Sequence, residues 1–195
     1  MPEVPDNATR ALILDVAEDL FSKRGFAAVK LRDIAEAVNM KHASLYYYVP
    51  GGKDQLFIEV MERSFHRHQQ GIAQAIENAG DSLRAQLYAV ADWFVMQPAM
   101  DIGRMQQGDR PDMAVAEMQR LMALAYNAVR MPIVAALERA AAHEHLHMAD
   151  YSLGAMALVS AIQSLHAIPI ALSVTDRKNL GHQLVDMFLD GWRAR

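Results

Sequence analysis

The chain is expected to be all-α, with three helices in a small N-terminal head and a larger helical body, and three observations predict this. Apolar residues recur at a 3.6-residue period through most of the 195 residues, no stretch of useful length alternates like a strand, and Pro and Gly serve mainly as punctuation between the periodic segments. At 52% hydrophobic content there is ample material for a sizeable core.

The first helix, about Asn7 to Arg24, buries Ile13, Ala17, Leu20 and Phe21 and stops at Gly25. In the second, Leu31, Ile34, Ala35 and Val38 fall at the i, i+3, i+4, i+7 spacing of one face, and the period then breaks at Asn39. Asn is among the few non-glycine residues that tolerate left-handed backbone angles, so it can end that helix and reverse the chain. A third helix, about 42 to 48, presents His42, Ala43, Ser44, Tyr46 and Tyr47 near its start and along one side, while Met40, Leu45 and Val49 anchor it. Two short helices around such a turn form a helix-turn-helix, whose second helix lies in the major groove with its N-terminal residues at base edges.

A fourth helix from Lys53 toward Ala79 carries Leu56, Val60, Phe65 and Ile72, and Ala79-Gly80-Asp81 ends it. Asp81 or Ser82 opens a fifth with Leu83, Leu87, Val90 and Phe94, which Pro98 terminates. Gly108-Asp-Arg-Pro-Asp112 has turn chemistry. Further helical patterns run from Asp112 to about His145 with Pro132 inside, from Asp150 to about Ser173 with Pro169 inside, and from Asp176 to Trp192. Each internal proline removes a backbone hydrogen bond, so kinks are expected at both.

Charge placement says more than charge total. The chain carries a formal −4, and its first 55 residues hold 7 Lys/Arg against 8 Asp/Glu, so a global basic signature is absent. Yet no carboxylate occurs between Glu36 and Asp54, a window that holds Lys41, His42 and Lys53. The surface expected to meet phosphate is thus cleared of repelling charge. Gly51-Gly52-Lys53 opening a helix is a phosphate site, because a helix N-terminus offers free N–H groups and partial positive charge to which the lysine adds a full one. Arg32, in the first turn of the second helix, is similarly placed.

Residues 9–56 resemble the N-terminal domain of the TetR family of transcriptional regulators. The resemblance rests on Leu20-Phe21-x-x-x-Gly25-Phe26, Arg32-Asp-Ile-Ala35, Leu45-Tyr-Tyr47 and Gly52-Lys-Asp-x-Leu56, and it covers about a quarter of the chain. It implies a three-helix DNA-binding domain over residues 1–54 and a helical effector-binding and dimerisation domain over 55–195. It also implies that Lys41 to Tyr47 form the recognition helix, that Tyr46 and Tyr47 make backbone or base-methyl contacts, and that Lys53 meets a phosphate. The chain departs from the family at Lys30 and Lys41, where Thr or Ser usually caps a helix. A lysine has no side-chain acceptor for the exposed N–H groups, so the change either costs each helix about 1 kcal/mol or adds phosphate contacts. Tyr48 and Val49 replace the usual His-Phe pair and Asn39 replaces a glycine, so base preference cannot be copied from relatives.

Residues 153–172 are apolar on nearly every face and rich in small side chains, and the final helix offers Leu180, Leu184, Met187 and Phe188 in helical register. Residues 150–192 are therefore the candidate homodimer interface, a four-helix bundle across a twofold axis, against the alternative of burial inside one chain. Eleven of the 13 methionines fall after residue 56. Met96, Met100, Met105, Met118 and Met122, near Trp93, Phe94 and Tyr126, lie in segments that the family places around its effector cavity. Methionine adapts its shape to apolar ligands and equally fills ordinary cores. Gln163 and His166 are stronger pocket candidates, since polar groups in an apolar helix are costly to bury without partners.

Zero cysteines exclude disulfides, thiolate catalysis and cysteine metal sites. His143 and His147 are one helical turn apart, a usable ligand spacing, but no third ligand converges and the order is not His-Glu-x-x-His. No glycine-rich phosphate loop, nucleophile elbow or tuned carboxylate pair marks an enzyme, and no cofactor is implied. Neither a basic leader before an apolar segment nor a long charge-free apolar run is present, so the chain is expected to be cytoplasmic and free of the membrane. The resemblance implies a homodimer that binds a palindromic double-stranded DNA operator and, as a repressor, is released by a small, largely apolar effector. An activator of the same fold, or an adapter that reads a protein with its helix-turn-helix, remains open.

Overall fold

The computed structural model describes residues 7–97, 115–144, 146–169 and 176–193. Among these lie eight α-helices: α1 (Asn7–Arg24), α2 (Leu31–Ala37), α3 (His42–Tyr48), α4 (Gly52–Asn78), α5 (Leu83–Met96), α6 (Val115–Glu144), α7 (Tyr151–Ser164) and α8 (Arg177–Trp192). A 3-10 turn, Leu165–Ala167, follows α7, and the chain is all-α as its periodicity predicts. Two compact units emerge. Among the described residues, one joins 7–64 with 115–124, and the other joins 65–97 with those from 125 onward.

In the first unit the predicted faces are the buried ones: Ile13, Ala17, Leu20 and Phe21 on α1, Ile34 and Ala35 on α2, and Leu45 on α3. Leu56, Phe57 and Val60 contribute from α4. Burial of such side chains stabilises by about 1.5–3 kcal/mol each. The rings of Phe21, Phe26 and Phe57 form a triangle with centroids 5.1–5.8 Å apart, two of the contacts edge-on. Charged pairs tie the outer surface together, Arg63 to Asp15 at 2.6 Å and Arg120 to both Glu62 at 2.5 Å and Glu117 at 2.7 Å. Hydrogen bonding to Arg120 holds the Glu117 carboxyl below its ordinary range, and the same pairing with Glu117 and Glu62 raises the guanidinium.

The second unit has one apolar core built from Ile72 and Ile76, Leu83, Leu87, Val90 and Phe94, Val129, Ile133 and Leu137, Leu158 and Ile162, and Val185 and Leu189. On its surface a polar ladder runs between α5 and α8. Arg84 meets Asp186, and Asp190 at 3.8 Å; Tyr88 donates to Asp186 at 2.7 Å and stacks on His182 at 4.1 Å; Asp92 accepts from Lys178 at 2.8 Å and pairs with His182 at 2.9 Å. Partner numbers fall on α8 as they rise on α5, so the two helices are antiparallel. Gly181 lets them approach, since a Cβ there would sit 3.2 Å from the Ala91 Cβ.

Two expectations meet a different outcome. Pro169 ends its helical segment instead of kinking it: α7 stops at Ser164, the 3-10 turn at Ala167, and Ile168 is extended with ψ 118°. The residue before a proline clashes with the ring in the helical region, so the chain leaves the helix there. Pro132, by contrast, is carried inside the continuous 30-residue α6. The part of α6 from Val115 to Ala141 is, by length and composition alone, apolar enough to cross a bilayer, although no such run was expected. Of that stretch 44% is buried within the folded chain, and Leu121, Ala125, Val129, Ile133 and Leu137 supply a core stripe at 0–1% exposure.

Candidate nucleic-acid interface

The turn between α2 and α3 is made as its sequence predicts. Asn39 adopts φ 54°, its N–H donates to the Glu36 carbonyl at 3.0 Å, and the Met40 N–H donates to Ala35 at 2.8 Å. The chain then enters α3, which is pinned from below by Leu45 at 0% exposure and Val49 at 4%. With those anchors inward, the helical period turns Lys41, His42, Ala43, Ser44, Tyr46 and Tyr47 outward, and all six are exposed. Tyr46 and Tyr47 keep 48% and 46% of their surface in solvent, which places two rings side by side on the open face of the helix. His42 sits edge-on to Tyr46 at 5.1 Å and Tyr47 to Tyr48 at 5.3 Å, so the exposed rings buttress one another.

The flanking cations behave differently. Arg32 is exposed and makes only a long contact to Glu36 at 3.6 Å, leaving it available to an anion. Lys53, expected at a phosphate, here turns its ammonium inward and donates to the Phe26 and Val29 carbonyls, each at 2.8 Å, while lying 3.8 Å from the Phe26 ring centre. A flexible lysine takes buried carbonyls and an aromatic face when they lie within reach, because the charge is then solvated by the protein. Neither Lys30 nor Lys41 caps its helix with its side chain. At α2 Asp33 supplies half of the missing cap by accepting from the Lys30 N–H at 2.8 Å.

The residues expected around an effector separate into groups. Trp93 and Phe94 gather around His68, a residue of α4 that the periodicity argument passed over. His68 is only 2% exposed, accepts the Trp93 indole N–H at 3.3 Å through Nδ1, and stacks on Phe94 at 5.7 Å. His166 joins them, its Nε2 lying 3.2 Å from the Phe94 carbonyl. Trp93 is seated over Gly71, where a Cβ would come within 2.1 Å of the indole. The signal for His68 was present, since it falls between Phe65 and Ile72 on the buried stripe of α4. The Gln163 Oε1 is buried without a hydrogen-bond partner among the described residues.

Tyr126 stands elsewhere: it is 41% exposed, its hydroxyl is 3.0 Å from that of Ser152, and the Arg130 guanidinium lies over its ring. Met122 is half-buried in the first unit, and Met96 is 82% exposed at the end of α5. Met105 and Met100 lie outside the described residues. His143 and His147 are exposed, and no group of three or more His, Cys, Asp or Glu side chains suited to a metal is found among the described residues.

Of the two proposed dimer helices, α7 buries Gly154, Ala155, Leu158, Val159 and Ile162 within its own unit. Leu153 at 68% and Met187 on α8 at 70% remain in solvent, so burial inside one chain accounts for one face of each helix and leaves a large apolar side chain open on each.

Residues 13–60 match the family model described as bacterial regulatory proteins, tetR family. Over 93 residues the chain is 30% identical to the HTH-type transcriptional repressor NicS of Pseudomonas putida, an alignment that covers 46% of this chain and 43% of that protein. Over 73 residues it is 36% identical to the HTH-type transcriptional regulator LmrA of Bacillus subtilis, covering 37% and 39%. The chain thus spans less than half the length of these curated relatives. Among solved structures, the fatty acid degradation regulator FadR of Bacillus halodurans superposes with a TM-score of 0.74 at 15% identity, over 98% of this chain and all of that one. A tetR-family regulatory protein from Rhodococcus RHA1 gives 0.72 at 16%, over 97% and 100%. At such identity the likeness establishes the fold alone.

Proposed function

We propose, from the match of residues 13–60 to the tetR family of bacterial regulatory proteins, that the chain is a TetR-type regulator: a cytoplasmic, homodimeric, ligand-responsive transcriptional repressor. The observation that carries this reading is α3: a helix anchored by Leu45 and Val49 that turns Lys41, His42, Ser44, Tyr46 and Tyr47 to solvent with no carboxylate among them. Such a surface suits a major groove, where lysine and histidine meet phosphate or base acceptors and the rings pack on sugar or thymine methyl groups. Two copies joined through the open faces of α7 and α8 would present two such helices to a palindromic operator, with half-sites about 34–36 Å apart if one helical turn separates them. The His68, Trp93, Phe94 and His166 cluster is the effector site that this reading favours, and it suits an apolar ligand with a polar group. Effector and operator would weaken one another's binding equally, typically by about 1–3 kcal/mol.

Titrating the protein against DNA flanking its coding region and against scrambled duplex at two salt concentrations tests the first step. Tight, salt-sensitive binding to the flanking DNA alone supports the reading, while equal weak binding to both would refute recognition of that DNA.

A further inference from the structure

We propose that Arg10, on α1, is a positioning residue for α3: it fixes the recognition helix against the start of α4 and does not itself contact DNA. The role rests on α3 being the DNA-reading element. The Arg10 guanidinium donates through Nη1 to the Tyr48 carbonyl at 2.5 Å and through Nη2 to the Glu59 carboxylate. These bonds span 38 and 49 residues of sequence, so they join α1 to α3 and to α4 by tertiary contact alone.

The chemistry fits the place. Tyr48 is the last residue of α3, where carbonyls lack intrahelical donors and the helix dipole is negative, so a cation there is favourable. Between Tyr48 and Gly52 the backbone is only Val49-Pro50-Gly51, and Gly52 itself stands at φ 72°. The joint is held from within by the Gly52 N–H, which donates to the Val49 carbonyl at 3.1 Å, and its left-handed glycine leaves the direction of α4 to be fixed by tertiary contacts as well. Arg10 bridges it from outside. Its planar fork can hold a carbonyl and a carboxylate together, which a lysine's single nitrogen cannot do in the same geometry. Both terminal nitrogens are committed within the protein, and the pair is partly shielded, at 34% and 28% side-chain exposure.

The test compares Arg10→Ala and Arg10→Lys with the unaltered protein on a duplex that the unaltered protein has selected from a random-sequence pool, and on scrambled duplex. Amide hydrogen exchange is followed through residues 42–48. Positioning requires that both variants lower the ratio of selected to scrambled affinity by roughly tenfold, keep the salt slope, and speed exchange in α3. A phosphate contact would instead weaken both duplexes alike, reduce the slope by about one, and be restored in the lysine variant; that result overturns the proposal. Unchanged exchange in α3 also overturns it. If Arg10→Ala does not fold, Arg10→Lys carries the comparison alone. If no consensus emerges from the pool, the DNA-reading premise fails, and the exchange measurement still decides whether Arg10 fixes α3.

Discussion

Replacing Gly71 by alanine should destabilise the second unit, although a glycine-to-alanine change inside a helix ordinarily stabilises by about 1 kcal/mol. The added Cβ would lie 2.1, 2.2 and 2.6 Å from Cζ2, Cη2 and Cε2 of Trp93. No real Cβ sits that close, and the obstacle is a rigid bicyclic ring whose N–H is bonded to a His68 that is 2% exposed. Forced repacking of this kind costs about 1–3 kcal/mol, and loss of the indole hydrogen bond adds about 0.5–1.5 kcal/mol. Set against the propensity gain, the net loss is about 0.5–3.5 kcal/mol. The assay is denaturant unfolding followed by Trp93 emission in a Trp192→Phe background, since the chain has 2 tryptophans. In a Trp93→Ala background the same Gly71→Ala change should become stabilising, because the obstruction is gone. A variant as stable as its parent with an unchanged emission spectrum would refute the seating of Trp93 over Gly71.

Lys53→Met should lower stability by about 2 kcal/mol, through two charge-assisted bonds to Phe26 and Val29, while the salt slope of DNA binding stays constant; a slope lower by about one would restore the phosphate role. Hydrogen bonding to Asp92, with its charge, raises the Lys178 ammonium above its ordinary 10.5, so its contribution is fully present below that value and is lost as pH rises through the folded pKa. Stability should therefore decline more steeply above pH 10.5 in the unaltered protein than in Lys178→Met, and parallel curves would refute the pairing. Leu153→Glu combined with Met187→Glu should convert the proposed dimer to a folded monomer in sedimentation, and an unchanged sedimentation coefficient would move the interface elsewhere.

Where the sequence was legible, it was so because one physical rule dominated. Burial fixes helix faces, so Ile13, Ala17, Leu20 and Phe21 on α1 and Leu45 on α3 could be assigned inward from spacing, and Tyr46 and Tyr47 outward by the same period. The left-handed turn at Asn39 followed from the short list of residues that tolerate positive φ. The inward bonds of Lys53 were not legible, because spacing locates its Cα at a helix start but not which of several acceptors a four-carbon stem will reach. His68 was missed for a related reason. A polar residue in a buried register signals either a break in the stripe or a satisfied partner, and that partner, Trp93, lies 25 residues away on another helix. Whether the helical segment continued past Pro169, as α6 does past Pro132, depended on whether neighbouring packing would offset the lost hydrogen bond, and local sequence does not carry that information.

The ladder between α5 and α8 and the gap at Gly181 select the same alignment. Arg84 meets Asp186 and Asp190, one turn apart, while Asp92 takes Lys178 and His182. Sliding α8 by one turn, about 5.4 Å, so that Val185 takes the place of Gly181, would put His182 where Lys178 now meets Asp92 and Asp186 where His182 now does, setting carboxylate against carboxylate. The steric consequence agrees, because Val185 would then face Ala91, where even a bare Cβ at position 181 would sit 3.2 Å away. Charge and shape thus reject the same slip by independent means. Bulk at position 181 would set one against the other, since the side chain would ask for a shift that the carboxylates refuse.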